Sequence, residues 1–102
     1  MNVKNIREAS DWFEVLQTTK RTQTAVMTLK RGKSSGSEAE GHKDSDQVLL
    51  VLEGEVKGEI ADETITLREG DVIVIPAGTR HKFSNCSSAD TVTFNTYSPP
   101  EY

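Results

Sequence analysis

No apolar run in this 102-residue chain exceeds the five residues Val48–Leu52, and that limit restricts the fold more than any other feature. A membrane-spanning helix needs about 20 apolar residues. An amphipathic helix needs an apolar stripe sustained every three or four positions. Neither pattern occurs. Alternation recurs instead: residues 23–29 (QTAVMTL) set Ala25, Met27 and Leu29 against Thr24, Val26 and Thr28. Residues 12–18, 47–53, 55–60, 64–68, 72–75, 80–84 and 91–97 form further short runs, several rich in Thr and β-branched residues that fit a pleated surface better than a helix. Seven glycines and three prolines separate them. Segment 47–53 is apolar on both faces and is expected to be covered on each side. Only 6–12 offers a helical turn, and 31–46, rich in Gly and Ser, reads as a loop. The tail Ser98-Pro99-Pro100-Glu101-Tyr102 cannot continue a central strand. Short strands at regular intervals predict an all-β antiparallel barrel or sandwich.

The length predicts one domain, 1–102, with a modest core. Twelve basic and 16 acidic residues leave a net charge of −4, which argues against nucleic acid as a partner. The cluster Lys30, Arg31, Lys33 reads as solvated loop. One cysteine, Cys86, rules out an intrachain disulfide and suits a reducing compartment. Met1-Asn2-Val3-Lys4 lacks the apolar stretch of a secretory signal. A cytoplasmic location with no membrane association is therefore expected.

The most informative stretch is Gly70–Asn85, whose spacing is G-x5-P-x-G-x2-H-x3-N, filled by Gly70, Pro76, Gly78, His81 and Asn85. Gly70-Asp71 turns the chain into a short strand, Pro76 ends it, and Gly78 allows a tight turn. His81 then enters the next strand, sharing a face with Phe83 and Asn85, opposite Arg80, Lys82 and Ser84. Upstream, Glu40-Gly41-His42 is followed after four residues by Gln47 and after six more by Gly54.

These two stretches resemble the paired motifs of the cupin superfamily, the second complete and the first altered. Glu40 stands at the first histidine position of the usual H-x-H and Gln47 at the usual glutamate. The resemblance covers about residues 36–85 and is similar to compact single-domain microbial cupins. It implies a double-stranded β-helix, or jelly-roll barrel, and a homodimer, for which Val48, Leu50 and Leu52 on the outer face give separate support. It also implies a divalent transition metal (Fe, Mn, Ni or Zn) on Glu40, His42, Gln47 and His81. Glu40 and His42, at i and i+2, point the same way on a strand. With His81 they make a two-histidine-one-carboxylate set, the arrangement that non-haem iron uses, while Gln47 either ligates or orients a neighbour. Both of the chain's histidines fall on motif positions.

Met27, Leu49, Phe83 and Phe94 are expected to line the pocket, with Trp12, Tyr97 and Tyr102 at its mouth or at a subunit contact. Arg80 and Lys82 read as solvated or interfacial, Cys86 as a structural or surface thiol, and Glu38, Lys43, Asp44 and Asp46 as solvated charges. Two functions follow. One is a metal-dependent cupin acting on a small polar metabolite by dioxygenation or isomerisation. The other is a non-catalytic module holding an organic ligand without a metal.

Overall fold

The computed structural model describes residues 1–36 and 39–102, so Glu38 lies outside the described residues. Among the described residues eight strands are formed: β1 (Phe13–Thr18), β2 (Gln23–Leu29), β3 (Asp46–Glu53), β4 (Glu55–Ile60), β5 (Glu63–Arg68), β6 (Val72–Ile75), β7 (His81–Ser84) and β8 (Thr91–Ser98). All named pairings are antiparallel, in a five-stranded sheet β1-β2-β8-β3-β6 and a three-stranded sheet β5-β4-β7. The class is all-β, as expected, with two facing sheets rather than one continuously closed ladder. The 6–12 segment yields a single 3-10 turn, Ile6–Glu8, capped by the Asn5 side chain.

The alternation read from the sequence decides which residues enter the core. Met27 and Leu29 of β2, Leu49 and Val51 of β3, Ile75 of β6 and Phe83 of β7 pack with Val56 and Leu67 in one buried cluster. Burying a side chain of this size contributes about 1.5–3 kcal/mol. The opposite face of β3 is only partly covered. Val48 pairs with Val74 and Leu50 with Val72, and Val72 and Val74 are 60% and 59% exposed.

Segment 31–46 is not simply a loop, because its backbone pairs at Ser34 with Ser84 and at Glu40 with His81. Glu40 donates to the His81 carbonyl at 3.1 Å and accepts from the His81 N–H at 3.0 Å. The contact uses main-chain groups only, so it leaves no apolar alternation for a sequence to display.

Candidate functional site

The two motifs meet through their backbones. The N–H of Gly78, a residue with φ +83°, donates to the His42 carbonyl at 2.7 Å. A Cβ on Gly41 would sit 3.1 Å from the Gly78 backbone. Such an approach is tight for any residue that carries a Cβ, and the neighbouring backbone would have to give by a few tenths of an ångström. The approach brings the His42 and His81 rings to a centroid separation of 4.9 Å.

Both rings line a cavity of about 380 Å³, together with Glu40, Gln47, Met27 and Phe83. Trp12, Phe13, Tyr97 and Tyr102 also line it. Met27 and Phe83 thus take the expected place. Leu49 is fully buried in the core and does not reach the cavity wall. Phe94 is a correction: it alternates with the inward Thr93 and Asn95, and pairs on the outer side with Val26 and Leu50. Cys86 is an exposed free thiol, and Arg80 donates to the Ala39 carbonyl at 3.4 Å.

A directional chain of hydrogen bonds fixes the polar floor. Thr93 donates its hydroxyl to the Met27 carbonyl at 3.3 Å, and Asn95 Nδ2 donates to Thr93 Oγ1 at 3.0 Å. Gln47 Nε2 donates to Asn95 Oδ1 at 3.0 Å. With its amide nitrogen committed there, Gln47 turns its Oε1 to His42 Nε2 at 3.1 Å. Thr93, Asn95 and Gln47 are all buried, so these partners satisfy groups that water cannot reach.

The other nitrogen of His42, Nδ1, lies 3.3 Å from Glu101 Oε1. His81 is held differently. Its Nδ1 meets the Thr79 carbonyl at 2.9 Å, leaving Nε2 as the remaining ring nitrogen. Burial holds the His81 imidazole below its usual 6.5; the Thr79 carbonyl opposes this and His42 adds to it. Burial also raises the Tyr97 hydroxyl far above its usual range, Tyr102 adding to the effect. Both groups are therefore neutral near pH 7.

The donor set suits a divalent ion in part. His42 Nε2, Gln47 Oε1 and His81 Nε2 are nitrogen and oxygen donors lining one cavity. The Gln47 oxygen, its amide locked from behind, faces His42 and the cavity. The 3.1 Å separation of His42 Nε2 and Gln47 Oε1 would allow both to hold one ion. The expected two-histidine-one-carboxylate set is not assembled. Among the described residues no three His, Cys, Asp or Glu side chains form a group able to hold an ion. Glu40 stands on the cavity wall directly across from His81, but it is exposed.

Sequence reasoning missed Glu101, Asn95 and Thr93. Glu101 belongs to no motif. Asn95 and Thr93 share the inward face of β8 with Tyr97, a polar alternation that could have been read as a lined interior.

The Cupin domain family model matches residues 25–97, most of the chain and both sets of site residues. The chain is a cupin. It is 33% identical over 108 residues to the uncharacterised protein L612 of Acanthamoeba polyphaga mimivirus, covering 98% of this chain and 66% of that protein. The chain thus spans just under two thirds of that relative's length. Among solved structures, Bacillus halodurans BH2720 superposes with a TM-score of 0.88 at 25% identity, over 98% of this cupin and 82% of that chain. An RmlC-like cupin family protein with a double-stranded β-helix fold from Methanocaldococcus jannaschii has a TM-score of 0.82 at 21% identity, over 94% and 87% of the two chains. The jelly-roll class expected from the motifs is therefore the fold of this cupin.

Proposed function

We propose that this cupin binds one divalent transition-metal ion through His42, His81 and Gln47, and holds a small polar metabolite beside it in the cavity. Glu40 is the nearby wall carboxylate available to the ion or its ligand. The observation that carries this reading is the position of His42 between two acceptor oxygens, Gln47 Oε1 and Glu101 Oε1. A neutral imidazole has one proton and can satisfy only one of them. A divalent ion held by His42 and Gln47 would remove the need for a proton on the cavity side.

When bound, the metal supplies a Lewis acid for a small oxygen-bearing ligand, consistent with dioxygenation or isomerisation. The chain's own part is positional. Asn95 locks Gln47, Thr79 orients His81, and the aromatic rim of Trp12, Phe13, Tyr97 and Tyr102 shields the floor from water. The apolar outer face of Val48, Leu50, Val72 and Val74 supports a homodimer, and the free Cys86 suits a cytoplasmic setting.

Elemental analysis of protein purified without a chelating tag or column tests the reading. One transition-metal ion per chain is expected, lost in His81→Ala and Gln47→Ala variants that retain the fold. A chain that stays metal-free after incubation with Fe(II), Mn(II), Ni(II) and Zn(II) overturns it. That result favours the second reading, an organic ligand held without metal. The lack of a three-membered group of His, Cys, Asp or Glu among the described residues supports this alternative.

A further inference from the structure

We propose that Glu101 is a positioning residue for His42, carried over the cavity by segment 99–102 acting as a strap; this rests on the divalent-ion reading above. The strap is seated by two polar side chains that are each only 1% exposed, Gln23 and Ser45. Gln23 Nε2 donates to the Tyr102 main-chain oxygen at 2.7 Å, while its Oε1 accepts from the N–H groups of Glu101 and Tyr102 at 3.2 and 2.9 Å. Ser45 shares its hydroxyl proton between the Pro99 carbonyl at 2.6 Å and Glu101 Oε2 at 3.2 Å. The Tyr102 ring packs against Phe13 and Tyr97, with centroids 4.9 and 5.2 Å away. Burying an amide and a hydroxyl is costly unless each finds partners, and here Pro99, Glu101 and Tyr102 supply most of them, with Thr18 Oγ1 also accepting from Gln23 Nε2 at 3.0 Å.

With Oε2 held by Ser45, the other carboxylate oxygen faces His42 Nδ1 at 3.3 Å. A carboxylate only accepts, so it keeps the proton on Nδ1 and leaves the Nε2 lone pair toward Gln47 and the cavity. It also stops the ring from turning over. A carboxylate behind a metal-binding histidine acts in this way, raising the ligand's basicity and fixing its tautomer. The residue at the usual glutamate position of the motif is Gln47. Glu101 brings a carboxylate to the site from outside the motif, one ring further from the ion.

The test compares the native chain, Glu101→Gln and Glu101→Ala by zinc competition titration and by proton NMR of the imidazole N–H groups in zinc-loaded protein. Metal-free melting temperatures check that each variant is folded. Zinc affinity is expected to fall about 10–100-fold in Glu101→Ala and less in Glu101→Gln, whose side-chain oxygen still accepts from Nδ1. The His42 Nδ1–H resonance should lie downfield in the native chain, move upfield in Glu101→Gln and vanish by solvent exchange in Glu101→Ala. The His81 Nδ1–H resonance, bonded to the Thr79 carbonyl, should stay in place. Native affinity in Glu101→Ala overturns the proposal, as does a loss of affinity with the His42 resonance unmoved. A native chain that binds none of Zn(II), Fe(II), Mn(II) and Ni(II) overturns the divalent-ion reading itself, and this inference with it.

Discussion

An imidazole presents two nitrogens, and in this cupin every one that has a protein partner meets an oxygen: Gln47 and Glu101 for His42, the Thr79 carbonyl for His81. Asn95 holds that pattern in place, because its carbonyl oxygen decides which way the Gln47 amide points. Asn95→Ala should therefore act twice. It should destabilise the protein by about 1–3 kcal/mol by orphaning a buried donor, and weaken metal binding about 10–100-fold by freeing Gln47 to rotate. Urea unfolding and zinc titration read the two effects separately. His81 gives a pH dependence of known sign. Its folded value is held below 6.5 by burial, so the unfolded chain takes up its proton first as pH falls. The metal-free protein should lose stability from about pH 6.5 down to the folded value of His81, and no further on this account. His81→Gln should show a shallower loss in the urea midpoint over that window. The histidines were legible in the sequence because both sit on motif positions. Glu101 was not, since proximity across 59 positions to His42 leaves no local spacing to read.

Strand spacing carried most of the element-level information. The predicted segments 23–29, 55–60 and 72–75 coincide with β2, β4 and β6, because alternation and the Gly and Pro breaks act locally. The Glu40–His81 backbone pair was hidden for the converse reason: main-chain hydrogen bonds are the same for every residue type. What aligns the motif segments is the Gly41–Gly78 approach. Gly78→Ala forces a Cβ into a left-handed backbone, at a cost of about 1–2 kcal/mol. It should lower the melting temperature by about 4–8 °C per kcal/mol and displace His42 through the Gly78 N–H. Calorimetry with a zinc titration checks both. Unchanged affinity would show that the contact does not align the histidines.

At the scale of the molecule, the two sheets face each other around an interior that is apolar at one level and polar at another. Leu49 and Phe83 fill the core, while Gln47 and Asn95 build the floor of the cavity. The all-β class followed from periodicity, but the placement of Phe94 did not, since alternation alone does not say which face turns inward. The face that Phe94 shares with Val48, Leu50, Val72 and Val74 is apolar, with Val72 and Val74 exposed on it. The native chain should sediment as a dimer and Val74→Lys as a monomer; a monomeric native chain would remove the need for a partner on that face.

If the proposed ion is bound, His42 and His81 share it. X-ray absorption of the zinc-loaded protein measures this most directly, because outer-shell scattering counts imidazole ligands. Two imidazoles in a shell of nitrogen and oxygen only are expected, falling to one in His81→Ala. A shell with fewer than two imidazoles, or with sulfur from Cys86, would contradict it.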